Sequence, residues 1–127
     1  MSKILIVDDD DAFRKVLRML LIRMGHEVTE ANDGKSAWST YQSQPAELVI
    51  MDLIMPDKEG LETIQQFRRN KAPTKILAIS GGGRVDARDI LRVAEQFGAD
   101  KVLAKPFSSD DLSVALKELL PAQPAGA

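Results

Sequence analysis

Five short apolar runs, separated by longer amphipathic stretches, constrain the fold of this chain more than any other feature. The runs are Ile4 to Val7, Val28 to Ala31, Leu48 to Met51, Ile76 to Ile79 and Val102 to Ala104. The first, third and fourth runs are almost continuously apolar, which is typical of strands covered on both faces in a parallel sheet. Strand and helix alternate five times along the chain, and this order indicates βαβ units. The sequence therefore predicts an α/β fold with a doubly wound, five-stranded parallel sheet.

The stretches between the runs have apolar residues at helical spacing, and glycine or proline follows most of them. Four of these helices are predicted to end at or just before a glycine or proline, namely Gly25, Pro73, Gly98 and Pro121. His26, in a Gly-His-Glu turn, is predicted to be exposed. The residues that we expect to face the sheet are Val16, Leu17, Leu20, Leu21 and Met24, then Ala37, Trp38 and Tyr41, then Leu61, Ile64 and Phe67, then Ile90, Ala94 and Phe97, and finally Leu112, Ala115, Leu116 and Leu119.

Composition indicates one globular domain of ordinary size. The 127 residues are 44% hydrophobic and 28% charged, and we assign residues 1–120 to one domain. Residues 121–127, PAQPAGA, are predicted to be a flexible tail or the start of a linker. The 17 basic and 19 acidic residues give a net charge of -2, without the basic surplus expected of a nucleic-acid-binding protein.

Two further absences in the sequence bear on where the chain works. It has no cysteine, which excludes disulfides and thiolate metal sites and fits a reducing compartment. The four apolar residues after Lys3 are too few for a signal peptide, and no run approaches the roughly 20 apolar residues that cross a bilayer. We therefore expect a cytoplasmic protein that binds neither membranes nor, directly, nucleic acid.

Polar side chains stand where the predicted strands end. Ligands of open α/β sheets bind outside the carboxyl ends of the strands, at the point where the strand order reverses. The polar residues at these ends are Asp8, Asp9 and Asp10 after the first strand, Asp52 after the third, Ser80 after the fourth and Lys105 after the fifth. If the first and third strands are neighbours, their carboxylates crowd together.

Such a cluster of carboxylates favours a cation. Two unit charges about 4 Å apart repel by roughly 4 kcal/mol at an effective dielectric near 20. Oxygen ligands with open positions suit Mg²⁺, which binds through one or two carboxylates, waters and a phosphate. Ser80 and Lys105 would add a hydroxyl and a positive charge that suit a phosphoryl oxygen. The set contains what aspartyl-phosphate chemistry requires.

Each of these residues also has an ordinary structural explanation. Asp10 or Asp11 is expected to be an N-cap or first-turn charge of the following helix. A lone aspartate at a strand end is usually a turn residue, and a lone lysine such as Lys105 is usually a surface residue. Only their joint occurrence after four strands of one sheet favours a functional site.

Four motifs in order resemble a known family. They are "ILIVDDD", "LVIMDLIMP" followed by Gly60, "ILAIS" and "LAKPF". Together they resemble the receiver domain of two-component response regulators, including the single-domain chemotaxis type, over residues 3 to about 120. The resemblance implies a flavodoxin-like sheet with strand order 2-1-3-4-5.

The resemblance also implies roles for individual residues. Asp52 matches the phosphoacceptor, which takes a phosphoryl group from the phosphohistidine of a sensor histidine kinase or a phosphotransfer protein. Asp8 and Asp9 match the acidic pair, with Asp9 a direct Mg²⁺ ligand and Asp8 acting largely through water. Asp52 itself and the backbone carbonyl of Ile54 complete the metal ligands.

Two further positions match the switch of the family. Ser80 matches the hydroxyl that turns to bind the phosphoryl group, and Lys105 matches the lysine that pairs with it. The Lys105-Pro106 bond is cis in the family. The resemblance implies a signalling domain that phosphorylates itself, not an enzyme with turnover, acting on an unidentified downstream protein or effector domain. Homodimerisation through the last two helices stays open.

The sequence departs from the family pattern in three places. The switch position three residues before the lysine is usually aromatic, whereas this chain has Val102. The loop after the fourth strand contains Gly81, Gly82 and Gly83, which we expect to be mobile until phosphate orders it. The positions that tune hydrolysis are Ile54 and Gly82, and neither side chain orients water, so we hypothesise a long-lived phosphoryl group.

Two other classes of function compete with a phosphoacceptor receiver. A Mg²⁺-dependent aspartyl-phosphate hydrolase of the haloacid-dehalogenase type would have a second carboxylate two residues after the nucleophile, where this chain has Ile54. A flavodoxin-like binding module would need a phosphate-binding loop after the first strand, where three aspartates would repel phosphate. A degenerate receiver that signals by binding alone is the remaining alternative.

Overall fold

A computed structural model of the chain describes residues 2–53, 59–80, 92 and 95–120. The elements are β1 (Lys3–Val7), α1 (Asp11–Arg23), β2 (Glu27–Ala31), α2 (Gly34–Ser43), β3 (Leu48–Asp52), α3 (Glu59–Arg69), β4 (Lys75–Ser80), a helix α4 of which residues 92 and 95–97 are described, β5 (Lys101–Ala104) and α5 (Ser109–Leu119). The predicted strands are found with ends that differ by no more than one residue. No helix in these described ranges is long and apolar enough to cross a membrane.

The five strands form one parallel sheet in the order β2-β1-β3-β4-β5. This confirms the predicted doubly wound α/β fold. Ile4 of β1 is paired with Val28 of β2 on one side and with Leu48 of β3 on the other. The chain extends the sheet from β1 in one direction to β2 and in the other direction to β3. The strand order therefore reverses between β1 and β3, which places a binding crevice at the carboxyl ends of these two strands.

The sheet has a buried apolar layer on each face, because alternate residues of a strand point to opposite sides. Leu5 and Val7 of β1 belong to a cluster with Phe67 of α3, whereas Ile4 and Ile6 belong to a cluster with helices α1 and α5. The helical members of the second cluster that are buried are Leu17, Leu21, Leu112, Ala115 and Leu116. The near-continuous apolar sequence of the central strands follows from this two-sided burial.

Three aromatic rings fill the layer between the sheet, α2 and α3. Phe67 is fully buried, and its ring centroid lies 5.0 Å from both the Trp38 and the Tyr41 ring centroids. Trp38 and Tyr41 stack with a centroid distance of 5.8 Å. The predicted inward face of α2 is therefore confirmed, with Ala37 fully buried beside the rings.

Local signals fix the ends of the helices. The Asp10 carboxylate accepts hydrogen bonds from the backbone N–H groups of Ala12 and Phe13, which confirms the expected N-cap of α1. Ser108 and Asp111 form a capping box at the start of α5. Gly98, with φ of +111°, follows α4 in the left-handed conformation that glycine adopts without strain.

Two predictions about side-chain exposure are wrong. Val16 was expected to face the sheet but is 57% exposed. The buried line of α1 runs through Leu17 and Leu21, four residues apart, and Val16 lies about 100° around the helix from Leu17. His26 was expected to be exposed but is half-buried, because its ring accepts a hydrogen bond at Nδ1 from the backbone N–H of Ser2.

Candidate functional site

Three strand ends bring buried polar side chains to the crevice. Asp8 directly follows β1, and Asp52 and Ser80 are the last residues of β3 and β4. Asp8 is 1% exposed, Asp52 4% and Ser80 3%. Polar groups this deeply buried require partners, because burial without hydrogen bonds or charges of opposite sign is unfavourable. The burial of three such groups at one edge of the sheet marks this edge for a function.

The carboxylates of Asp8, Asp9 and Asp52 form a potential cation site. Each offers one oxygen, and these oxygens lie within 4.8 Å of one another. Asp9, unlike the other two, is exposed at the rim of the crevice. At this spacing and at an effective dielectric near 20, two neighbouring carboxylates repel each other by roughly several kcal/mol. The oxygen-only donor set, open on the solvent side, fits a hard divalent cation such as Mg²⁺.

Asp8 is held in place by the loop and helix that follow it. Its Oδ1 accepts a hydrogen bond from the backbone N–H of Asp10 at 2.8 Å, and its Oδ2 accepts one from the ammonium of Lys105 at 3.1 Å. The guanidinium of Arg14 donates to the backbone carbonyl of Asp8 at 2.7 Å. Both carboxylate oxygens of Asp8 therefore have protein donors already.

Lys105 brings a positive charge to the two buried carboxylates. Its Nζ lies 3.1 Å from Oδ2 of Asp8 and 3.8 Å from Oδ2 of Asp52. The backbone N–H of Lys105 donates to the carbonyl of Ser80 at 2.7 Å, and the Lys105-Pro106 peptide bond is cis. The hydrogen bond to Ser80 fixes the backbone of Lys105 beside the end of β4, and the Lys105 side chain extends across the crevice toward β1 and β3.

Ser80 lies just beyond Asp52 along the sheet. Asp52 is paired with Ile79, and the backbone N–H of Leu53 donates to the Ile79 carbonyl at 2.9 Å. Ser80 follows Ile79 and is paired on its other side with Ala104. The structure thus brings together the acidic pair, Asp52, Ser80 and Lys105 that the sequence singled out.

The family model for the response regulator receiver domain matches residues 4–117 of this chain. Apart from Lys3 of β1, the match covers the whole sheet and the crevice at the carboxyl ends of its strands. The chain belongs to the response regulator receiver family.

Individual proteins of known sequence and structure agree with this membership. The chain is 34% identical over 119 residues to the probable transcriptional regulator ycf27 of Cyanophora paradoxa, covering 94% of this chain and 48% of that protein. It is 30% identical over 119 residues to the alkaline phosphatase synthesis transcriptional regulatory protein PhoP of Bacillus subtilis, with the same coverages. The chain thus spans about half the length of these two curated relatives.

Solved structures show the same fold over almost their whole length. The chemotaxis protein CheY4 of Vibrio cholerae superposes with a TM-score of 0.84 at 29% identity, covering 94% of this chain and 99% of that one. A solved structure from Chloroflexus aurantiacus superposes with a TM-score of 0.84 at 27% identity, covering 93% of this chain and 96% of that one. The strand order 2-1-3-4-5 is therefore that of a receiver.

Gly60 of α3 contributes to the receiver site although it has no side chain. A Cβ at Gly60 would lie 2.3 Å from the carbonyl oxygen of Asp52 and 2.9 Å from Cα of Leu53. The first turn of α3 therefore packs against the backbone that carries Asp52. In the sequence Gly60 stands out only as part of a motif, although glycine within a helix is unfavourable and indicates such a close approach.

Arg14 and Phe13, in the first turn of α1, are two further residues that sequence reasoning missed. Besides its bond to the Asp8 carbonyl, Arg14 donates to Asp11 at 2.6 Å and to Glu30 at 3.1 Å. The ring of Phe13 lies beneath the Lys105 ammonium. Their short distance in sequence from the acidic pair could have indicated that they lie near the site. The direction of their side chains could not be predicted, because it depends on how α1 packs.

Several predictions about this receiver concern residues that the structure does not describe. Ile54, the loop of Gly81 to Gly83 and the tail of residues 121–127 lie outside the described residues, as do Ile90 and Ala94. Val102, which replaces the usual aromatic residue of the switch, is half-buried against the cluster that contains Phe67.

Proposed function

We propose that this receiver domain accepts a phosphoryl group on Asp52 from the phosphohistidine of a sensor histidine kinase or a phosphotransfer protein. The observation that carries the proposal is the buried Asp52 carboxylate, grouped with Asp8 and Asp9 and paired with Lys105, in a member of the receiver family. The domain then acts as a signalling component, with one phosphoryl group accepted for each cycle.

The chemistry is an in-line displacement at phosphorus. An oxygen of the Asp52 carboxylate forms the new P–O bond, while the P–N bond to the donor histidine breaks and its electron pair remains on the imidazole nitrogen. The carboxylate is the reactive form, and the Lys105 ammonium lies 3.8 Å from its Oδ2. Little covalent work is left to the protein, because positioning and charge stabilisation dominate such transfers.

Mg²⁺ is the cofactor that the donor set fits. We propose that Asp9, Asp52 and the backbone carbonyl of Ile54 hold it directly, and that Asp8 acts through water. The two hydrogen bonds that already occupy the Asp8 oxygens support this division. When bound, the cation neutralises charge on the transferring phosphoryl oxygens.

Phosphorylation would then redistribute the hydrogen bonds of the crevice. The new negative charge competes with Asp8 for the Lys105 ammonium, which now lies 3.1 Å from Asp8. Ser80, directly beyond Asp52 in the sheet, would donate its hydroxyl to the phosphoryl group. Both residues adjoin β5, so we propose that the equilibrium between two conformations of the α4–β5–α5 surface shifts. With Val102 at the switch position, we propose that this coupling runs through the backbone and the fourth helix, α4.

The output partner is proposed from relatives that are longer than this chain. The two curated relatives described above are transcriptional regulators by name and about twice as long. We propose that the present domain, residues 1–120 with residues 121–127 as a tail or linker, signals in the cytoplasm through an effector domain or a docked protein. Its net charge of -2 supports protein contacts over direct contact with nucleic acid. The proposal leaves homodimerisation open.

The test is intact-protein mass spectrometry after incubation with acetyl phosphate. We expect one phosphoryl adduct that requires both Mg²⁺ and Asp52, with Asp52→Asn as the matched control. An adduct on Asp52→Asn would contradict the assignment of the acceptor. No adduct on a folded wild-type protein would indicate a receiver that signals by binding alone. Release of many equivalents of phosphate per chain would indicate a hydrolase.

The lifetime of the adduct tests a second part of the proposal. Ile54 and Gly82 stand where the family tunes hydrolysis, and neither side chain orients an attacking water. We expect a long-lived phosphoryl group whose half-life the double variant Ile54→Asn, Gly82→Glu shortens. The half-life is measured by the decay of the adduct mass after removal of the phosphodonor. An unchanged half-life in the double variant would contradict this explanation.

A further inference from the structure

Phe13 contacts the lysine of the site through its ring face. The Nζ of Lys105 lies 3.9 Å from the centroid of the Phe13 ring. An ammonium at this distance over an aromatic face is attracted by the electron-rich π system. The same Nζ donates to Asp8 at 3.1 Å. The Lys105 ammonium thus lies between a carboxylate and a ring.

The position of Phe13 is fixed by the loop that carries the acidic pair. Its backbone N–H donates to the Asp10 carboxylate at 3.1 Å, in the N-cap of α1. The N–H of Asp10 in turn donates to the Asp8 carboxylate at 2.8 Å. Two hydrogen bonds therefore connect the backbone of Phe13 to Asp8. Movement of the acidic loop would move the ring with it.

A second aromatic residue contacts the ring of Phe13. Phe107, two residues after Lys105, meets Phe13 edge to face, with the ring centroids 6.0 Å apart and the planes at 83°. This arrangement is favourable for aromatic pairs. Both rings are half-buried against the α1–α5 cluster. The segment from Lys105 to Phe107 therefore contacts the Phe13 ring twice, through the Lys105 ammonium and through the Phe107 ring.

We propose that Phe13 is a positioning residue that holds the Lys105 ammonium beside Asp8 and within reach of Asp52. A lysine side chain has a flexible four-carbon stem, and without such a support it would sample many positions. The proposal rests on the function proposed above, because the benefit of a positioned ammonium is faster phosphorylation of Asp52. It requires no aromatic residue at position 102.

The test compares two substitutions that differ in the ring. Phe13→Leu keeps an apolar side chain but removes the π face, whereas Phe13→Tyr keeps the face. We expect Phe13→Leu to lower the rate constant for Asp52 phosphorylation by acetyl phosphate by more than about twofold and by up to about thirtyfold, the range of a cation–π contact. Phe13→Tyr should retain the wild-type rate. Val16→Ala, an exposed change on the same helix, serves as the control for general effects on α1.

Nuclear magnetic resonance of the unphosphorylated protein supplies a readout that a merely structural role would not move. The Lys105 side-chain methylene protons should be shifted upfield by the ring in wild type and Phe13→Tyr, and should lose this shift in Phe13→Leu. A Phe13→Leu rate within about twofold of wild type, below the weakest cation–π contribution, would overturn the proposal. Equal slowing by Phe13→Tyr, or normal Lys105 shifts in wild type, would also overturn it.

The two measurements separate the positioning role from the proposed function. If the wild-type protein accepts no phosphoryl group, the function proposed for Asp52 fails, and the Lys105 shifts still decide whether Phe13 holds the ammonium. If the wild type is phosphorylated but the Lys105 shifts do not depend on the ring, the positioning role fails alone.

Discussion

At the scale of single residues, Gly60 links the packing of α3 to the geometry of the phosphoacceptor. We expect Gly60→Ala to lower the free energy of unfolding by about 1–3 kcal/mol, as inserted methyl groups in packed sites do. The added Cβ would meet the Asp52 carbonyl oxygen at 2.3 Å, so the variant should also accept phosphate more slowly. Urea denaturation and the phosphorylation rate measure the two effects.

Gly25→Ala is the matched control for this prediction. Gly25 has φ of +92°, which strains any other residue, but its Cβ would meet nothing within 4 Å. It should therefore lose stability while the folded protein keeps its phosphorylation rate. Equal slowing of phosphorylation by both variants would show that Gly60 acts only through stability.

His26 should make stability depend on pH near neutrality. Burial, together with the positive N-terminus of the chain, lowers the pKa of His26 below its ordinary value of 6.5, and its Nδ1 is occupied by the Ser2 N–H. The unfolded chain therefore binds a proton at a higher pH than the folded one. Neutral His26 contributes fully to the free energy of unfolding above pH 6.5. This contribution is lost as the pH falls from 6.5 through the lowered pKa of His26 in the folded protein.

The measurement is urea unfolding at pH 7.5 and pH 5.5, with His26→Asn as the reference, because Asn retains a neutral acceptor. Between these two pH values the wild type should lose more stability than His26→Asn. A parallel loss in both proteins would contradict the assignment to His26.

At the scale of elements, Arg68 joins the end of α3 to two distant segments. Its guanidinium donates to the carbonyls of Gly98 and Thr74 at 2.8 and 2.9 Å, and to Asp100 at 2.6 Å. Asp100 Oδ2 also accepts the backbone N–H of Ile76 at 2.8 Å. One side chain thereby connects α3, the start of β4 and the turn before β5.

We expect Arg68→Ala to lower the free energy of unfolding by about 1–3 kcal/mol, since it removes several hydrogen bonds from a partly exposed cation. Arg68→Lys should recover only part of the loss, because an ammonium cannot span the same acceptors. Arg69→Ala, the exposed neighbour on the same helix, is the control and should be near neutral. A loss of similar size in Arg69→Ala would contradict the specific role of Arg68.

The elements and the main site residues were predictable from sequence for one physical reason. Parallel strands direct all their carboxyl ends to one edge, so Asp8, Asp52 and Ser80 had to meet once the alternation of strands and helices was recognised. The contacts of Phe13 and Arg68 were not predictable in this way. Arg68 meets Gly98 across 30 residues of sequence, and such contacts depend on side-chain directions that no periodicity encodes. Val16 shows the same limit, because apolar character alone did not say which line of α1 faces the sheet.

At the scale of the whole molecule, the acidic cluster sets a balance between stability and function. Repulsion among Asp8, Asp9 and Asp52 opposes folding when no metal ion is bound, and a ligand that binds only the folded state stabilises it by mass action. We therefore expect Mg²⁺ to raise the urea midpoint of the wild type, measured against the same protein in a chelator. Asp9→Asn should raise the midpoint in chelator and reduce the gain from Mg²⁺.

Glu118→Gln is the control for this prediction, because Glu118 is an exposed acid on α5 paired with Lys101 rather than a member of the cluster. It should respond to Mg²⁺ like the wild type. A Mg²⁺ response that survives in Asp9→Asn unchanged would assign cation binding to other residues.

The described hydrophobic core lies in two layers that the sheet keeps apart, one with α2 and α3 and the other with α1 and α5. A side chain on α1 can change without repacking the aromatic trio of Trp38, Tyr41 and Phe67 on the opposite face. The crevice with the three carboxylates lies at the carboxyl ends of the strands that separate the two layers. Substitutions confined to one layer should therefore leave the packing of the opposite layer intact.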